Sequence, residues 1–244
     1  MRLLLGLALL LGSFSPALAQ FNKKEAATQL AKADQVDATN FAAVKDRIMV
    51  RVYPQQAFAK IGTANNVVRI DAEGTYTVLV LDMGTVFKGL DRATFTTWGI
   101  SENEAFALGH HNVGKQQVEV SSRPIGDSLS IGLYLNDDYA AAYLLNTEQN
   151  GKAYIGKYGA VVCLPARGIG VIYQMNDPVS FVKMMQRTQE LMQKFFSTQP
   201  GSISPDFYWY YQGRFTKINT LTTAQGQFTV IAPAGLAELA ASQK

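Results

Sequence analysis

Two adjacent histidines, His110 and His111, are the only imidazoles in this chain of 244 residues. They fall in a stretch that predicts a helix, where neighbours point about 100° apart. They cannot grip one metal ion as an i, i+4 pair can, and a structural or surface role is favoured. Asp137 and Asp138 are adjacent carboxylates, able in principle to hold a cation or divide acid and base duties. At a strand-to-helix turn the same residues cap the helix that follows, and the cap is the favoured role. Arg167 sits in Pro165-Ala166-Arg167-Gly168. Its planar fork suits a carboxylate or phosphate, and the neighbouring glycines permit close approach. The favoured alternative is an ion pair to an acid such as Asp138.

The remaining candidates have bland explanations. Tyr208, Trp209, Tyr210 and Tyr211 offer rings that could stack on sugars or on a partner. Burial on both sides of a strand accounts for them as well and is favoured, with Trp209 the one retained as a binding candidate. Gly168-Ile169-Gly170 starts like a dinucleotide fingerprint, but Tyr173 takes the place of the third glycine and extended structure follows. Cys163 is the only cysteine, so it forms no disulfide within the chain. It lies in Ala160-Val161-Val162-Cys163-Leu164, a run that reads as a buried strand. A reactive thiolate needs a base and an electropositive setting, and the local sequence supplies neither. There is no G-x-S-x-G, zinc spacing or phosphate-binding loop, and no cofactor or metal is expected.

The elements that must position these residues are legible in part. Residues 21–46 are charged, Ala-rich and free of Gly and Pro, and predict a helix. Arg47 to Tyr53 alternates, with Ile48, Val50 and Val52 on one face and Arg47, Met49 and Arg51 on the other. This predicts a half-buried strand closed by Pro54. Val67 to Ile70 and Thr75 to Leu81 flank a turn at Asp71-Ala72-Glu73-Gly74, a hairpin signal. Ser101-Glu102-Asn103-Glu104 is a capping box opening a helix to about Val113, with Gly114 as its stop. Ser128 to Leu135 alternates cleanly, and Asn136-Asp137-Asp138 then turns the chain into a helical Ala140 to Leu145. Asp177-Pro178 starts a helix running to about Phe196. Its stripe (Val182, Met185, Gln189, Met192 and Phe196 on one face, with Phe181, Met184, Leu191 and Phe195 beside it) is wide enough for burial against a sheet. Phe207 to Tyr211 predicts a strand, and Phe228 to Ile231 a short one before a fraying tail.

Three stretches carry a family resemblance. They are Trp98-Gly99-Ile100-Ser101-Glu102-Asn103-Glu104 leading to Ala107 and Asn112; Asn136-Asp137-Asp138-Tyr139-Ala140-Ala141; and Val161-Val162-Cys163-Leu164-Pro165-Ala166-Arg167. The last is followed by a helix ending in Lys194-Phe195-Phe196 and by Ile203-Ser204-Pro205. In order and spacing, residues 78–218 resemble the uncharacterised DUF1444 (YtpQ) family. The resemblance implies an α+β fold and no activity. That family tends to place an acid soon after the strand-ending proline, where this chain has Gly168. Its familiar members look cytosolic.

This chain, by contrast, begins with Arg2, an unbroken apolar run from Leu3 to Leu11, and Ala17-Leu18-Ala19 before Gln20. A basic tip, a short apolar stretch and small residues at −3 and −1 predict a secretory signal cleaved after Ala19. The run is too short for a membrane anchor. Cleavage removes one charge, Arg2, so the net charge of +3 becomes +2. That balance gives no electrostatic footprint for nucleic acid. The expected architecture is α+β: a mixed, mainly antiparallel sheet covered by helices. Residues 20–220 are expected to form one domain and 221–244 a C-terminal extension. The expected function is that of an exported (periplasmic or extracellular) bacterial protein, a non-catalytic binding or interaction protein of the cell envelope. Its partner would be another protein or an envelope ligand. The alternatives are an envelope hydrolase using Asp137 or Asp138 with Arg167, and a toxin-neutralising partner protein.

Overall fold

The structure, a computed structural model, describes residues 36–58, 62–84, 86–222 and 228–242. The segment expected to direct export and most of the helix expected over 21–46 lie outside these residues. Late in that span, Asp37 accepts hydrogen bonds from the backbone and hydroxyl of Thr39 and turns the chain, so no continuous helix runs to residue 46. Such local bonds compete with a helix. Asn40 then caps the short helix Phe41–Val44.

The first half contains α1 (Phe41–Val44), a 3-10 turn (Lys45–Arg47), β1 (Ile48–Pro54), α2 (Gln55–Phe58), β2 (Val68–Arg69), β3 (Thr75–Asp82), β4 (Phe87–Gly89), α3 (Arg92–Thr96) and α4 (Glu102–Gly114). The middle contains β5 (Glu119–Gly126), β6 (Leu129–Leu135), α5 (Ala140–Leu145), α6 (Thr147–Asn150), a 3-10 turn (Lys152–Tyr154), β7 (Ala160–Ala166) and β8 (Ile169–Gln174). Then follow α7 (Ser180–Thr198), β9 (Phe207–Tyr211), β10 (Arg214–Lys217), β11 (Asn219–Thr222), β12 (Phe228–Ile231) and α8 (Leu236–Ser242).

The fold is α+β, and every strand pairing among the described residues is antiparallel. The strands do not form one sheet. β1, β3 and β2 lie side by side with β4 also on β3, and a six-stranded sheet runs β10-β9-β7-β8-β6-β5. A separate hairpin joins β11 to β12. The six-stranded sheet separates two apolar clusters. One holds the four-stranded sheet, α4 and α5 with Tyr134, Val162, Ile172 and Tyr210. The other holds α7 with Ile131, Val161, Cys163 and Trp209. With both faces covered, β7 is buried along its whole length.

Local rules account for much of this. The Ser101–Glu104 capping box is formed in both directions at the start of α4. The expected stop, Gly114, is the last helical residue. Helix α4 lies close on the four-stranded sheet because Gly109 has no side chain. A Cβ there would come within 2.9 Å of Val50 Cγ1 and 3.2 Å of Leu79 Cδ2. The buried Asn112 donates to the carbonyls of Lys45 (2.8 Å) and Ile48 (2.9 Å), tying α4 to the start of β1.

Four expectations need correction. β1 is not half-buried, since Met49 and Arg51 are as covered as Ile48 and Val50. Asp177 and Pro178 form a turn before α7 instead of its first residues: Asp177 Oδ1 accepts from the Val179 amide, and the helix begins at Ser180. Neither aspartate caps α5. Asn136 Oδ1 accepts from the amides of Asp138 and Tyr139. Finally, a boundary at 220/221 would cut β11, and the tail is docked. Leu236 is buried, and Phe228, Val230 and Leu239 pack on the α7 cluster. No helix among the described residues is long and apolar enough to cross a membrane.

Candidate functional site

Asp138 and Arg167 meet. The β7–β8 turn carries Arg167, and the turn after β6 carries Asp138; Asn136 N–H donates to Gly168 O (3.2 Å) and Ala141 N–H to Arg167 O (3.1 Å). Arg167 Nε lies 3.6 Å from Asp138 Oδ1, an ion pair beyond hydrogen-bonding distance. This close crossing also explains Gly168. A Cβ there would sit 3.0 Å from Asn136 O and 3.3 Å from Asp137 O, so a side chain at this position requires the neighbouring backbone to give by a few tenths of an ångström. Asp137 itself is exposed.

Sequence reasoning missed a third member. Arg51 of β1 donates from Nη2 to the same Asp138 Oδ1 at 3.2 Å. Its side chain is 3% exposed, against 31% for Arg167 and 42% for Asp138. The guanidinium stacks over Phe87 at 3.7 Å, with Tyr53 at 5.8 Å. Burial holds Arg51 below its ordinary value; Tyr53 and Asp138 oppose that shift, and Arg167 adds to it. The available signal was the company Arg51 keeps on its face of the strand, Met49 and Tyr53, which is not that of a solvent face. Nearby, Tyr139 donates its hydroxyl to Asp82. Burial, that bond and the Asp82 charge push the phenol well above its usual range.

The histidines lie elsewhere. In the four-stranded sheet Val78 is flanked by Arg51 and Val68, and Thr77 by Val52 and Arg69. Side chains alternate along a strand, so Arg51 and Arg69 point to opposite faces. Arg69 faces α4. It donates from Nη2 to His110 Nε2 (3.0 Å), pairs through Nε with Asp71 (2.9 Å), and stacks over Phe106 at 4.3 Å. These contacts line a cleft of about 490 Å³ between α4, α6 and the β9–β10 hairpin. Asn103, Ala107 and the exposed His111 stand on its α4 wall; Asn146, Glu148 and Gln149 form the wall opposite. Phe215 contributes apolar surface, and the Tyr210 hydroxyl donates to Glu148 at 2.9 Å.

A guanidinium can only donate, so His110 Nε2 accepts and the ring proton sits on Nδ1, which is buried without an acceptor among the described residues. Burial first, and then Arg69, lower His110 from 6.5 to about 4, with Asp71 opposing. Below pH 6.5 the unfolded chain therefore takes up a proton that the folded chain refuses. His110 contributes its full stability above pH 6.5 and loses it progressively as the pH falls towards 4. His110→Gln, which keeps an acceptor for Arg69, should flatten the fall in urea-unfolding free energy between pH 6.5 and 4. A variant profile parallel to the wild type would contradict the assignment.

Trp209 is not brought to either place. It is buried in the α7 cluster, its indole N–H donates to Tyr158 O at 2.8 Å, and it stacks on Tyr211 at 5.4 Å and 8°. Cys163 is buried, and burial pushes its thiol well above its usual range. Among the described residues no group of three or more metal-binding side chains converges.

Comparison with known proteins returned no match to a family model, a curated protein or a solved structure. The DUF1444 resemblance therefore rests on the residue stretches named above.

Proposed function

We propose that the protein is an exported, non-catalytic binding protein of the cell envelope that holds its ligand in the cleft between α4, α6 and the β9–β10 hairpin. The observation that carries this reading is the state of the groups lining the cleft. Asp71 sits on Arg69, Arg69 on His110, and Glu148 on the Tyr210 hydroxyl. A general base must be free to take a proton from its target, and these groups are engaged with one another. Recognition sites, in contrast, combine apolar surface with a few fixed polar groups, as Phe215, His110, Asn146 and Gln149 do here. Export is supported by the basic, apolar and small-residue parts of the N-terminal segment. Kinship with DUF1444 belongs to the same proposal and adds no activity to it. The hydrolase reading receives no support from the placement of Asp138, whose carboxylate meets two guanidinium groups.

A site-specific photo-cross-linker tests the cleft in living cells. Ala107 is exposed on the cleft wall, and Lys183 is exposed on α7. The expected result is a discrete adduct from a cross-linker at position 107 and none from position 183. No adduct from 107, or equal adducts from both, would count against the reading.

A further inference from the structure

On the other face of the four-stranded sheet, two guanidinium groups share one carboxylate. Arg51 and Arg167 both pair with Asp138 Oδ1, and the set carries one positive charge in excess. Asp82, the acid bound by Tyr139, makes no ion pair with either arginine among the described residues. Arg51 Nε and Arg167 Nε are both buried and lack an acceptor among the described residues. Such orphaned donors are uncommon in folded proteins, and a buried charge normally finds full pairing.

The cluster is asymmetric in a way that suits capture of an anion. Arg51 is fixed in the interior by Phe87 and Asp138. Arg167 is about a third exposed, and among the described residues nothing but Asp138 pairs with its guanidinium. The Arg167 backbone is clamped, its N–H donating to Gly201 O at 2.9 Å. Its guanidinium lies along Gly201, where a Cβ would come within 3.1 Å of Cζ. We infer that Arg167, backed by the buried charge of Arg51, forms an oxyanion-binding site for a carboxylate or phosphate group presented from solvent. Asp138 is the positioning residue that keeps the two like charges together. A planar fork meets two oxygens of one oxyanion at once, which a point charge cannot do. This site is separate from the cleft and stands or falls independently of it.

The test uses the purified protein in sodium chloride, sodium phosphate and sodium acetate at one pH and matched ionic strength. Phosphate or acetate should raise the melting temperature saturably over chloride. Stabilisation by phosphate alone identifies a phosphoryl ligand, by acetate alone a carboxylate, and by both an oxyanion of either kind. Arg167→Ala should fold, with an unchanged circular dichroism spectrum, and lose the increment. Arg167→Lys keeps the charge without the fork and should bind about tenfold more weakly, the loss of one charge-assisted hydrogen bond. Indistinguishable melts in the three salts would overturn the proposal. So would an increment that Arg167→Lys retains in full.

Discussion

Met185→Asp should abolish cooperative unfolding or lower the stability by several kcal/mol, the largest effect expected of any single substitution considered. Met185 is 0% exposed and packs in the apolar cluster between α7 and the six-stranded sheet, with Phe181, Met184 and Met192 on the same helix. Removing a buried Met side chain costs about 2–5 kcal/mol by itself. A carboxylate in its place must be protonated or left unpaired, which adds several kcal/mol more. Native domains are stable by only about 5–15 kcal/mol, so the variant sits at or below the threshold of folding. Gln186→Asp is the control. The adjacent residue on the same helix is exposed, and surface substitutions usually stay within about 0.5 kcal/mol. Urea unfolding of both variants checks the placement of α7. A Met185→Asp midpoint equal to that of the wild type would refute it.

Asp138→Ala comes next, with an expected cost of about 3 kcal/mol, the lower end of the range for breaking a buried pair. The lower end applies because Asp138 is partly in water. The cost arises on the other side, where Arg51 is left 3% exposed against the rings of Phe87 and Tyr53, without a carboxylate partner among the described residues. The effect should therefore be asymmetric. Arg51→Met removes the stranded charge and leaves an apolar chain against Phe87, so the Arg51→Met, Asp138→Ala double variant should recover most of the loss. Replacing a buried ion pair with apolar groups is often neutral or better. Arg167→Ala should cost less than about 1 kcal/mol, as expected for a partly exposed pair at 3.6 Å. Equal losses for all three single changes, or no recovery in the double variant, would show that Arg51 is not the charge Asp138 neutralises.

What the sequence reveals follows the range of the interactions. The capping box, the turn before Thr75, the alternation of Leu129 to Leu135 and the aromatic strand at Phe207 to Tyr211 are written in adjacent residues, and each has its expected form. Three separate sheets where one was expected are a different matter. β1 pairs with β3 from Ile48↔Leu81 to Pro54↔Thr75, and strand alternation does not name a distant partner. Alternation also cannot tell whether a second face meets water or another layer, which is why Arg51 reads as exposed. The meeting of Asp138 with Arg167 was legible because both follow strands at one end of the sheet. The His110 cleft was not. It depends on Gly109 letting α4 approach β1, and on Arg69 reaching from a two-residue strand. Asn136 could have been seen as the residue that forms the turn before α5, since its side chain reaches the amides two and three positions on in the manner of an Asx turn.

The central claim is an exported protein that binds its ligand in the cleft beneath His110. It is tested most directly by the intact mass of the protein recovered from the cell envelope with a photo-cross-linker at position 107. The account predicts a chain beginning at Gln20 that carries one discrete adduct. A chain beginning at Met1 in the cytosol, or a processed chain with no adduct, would contradict it.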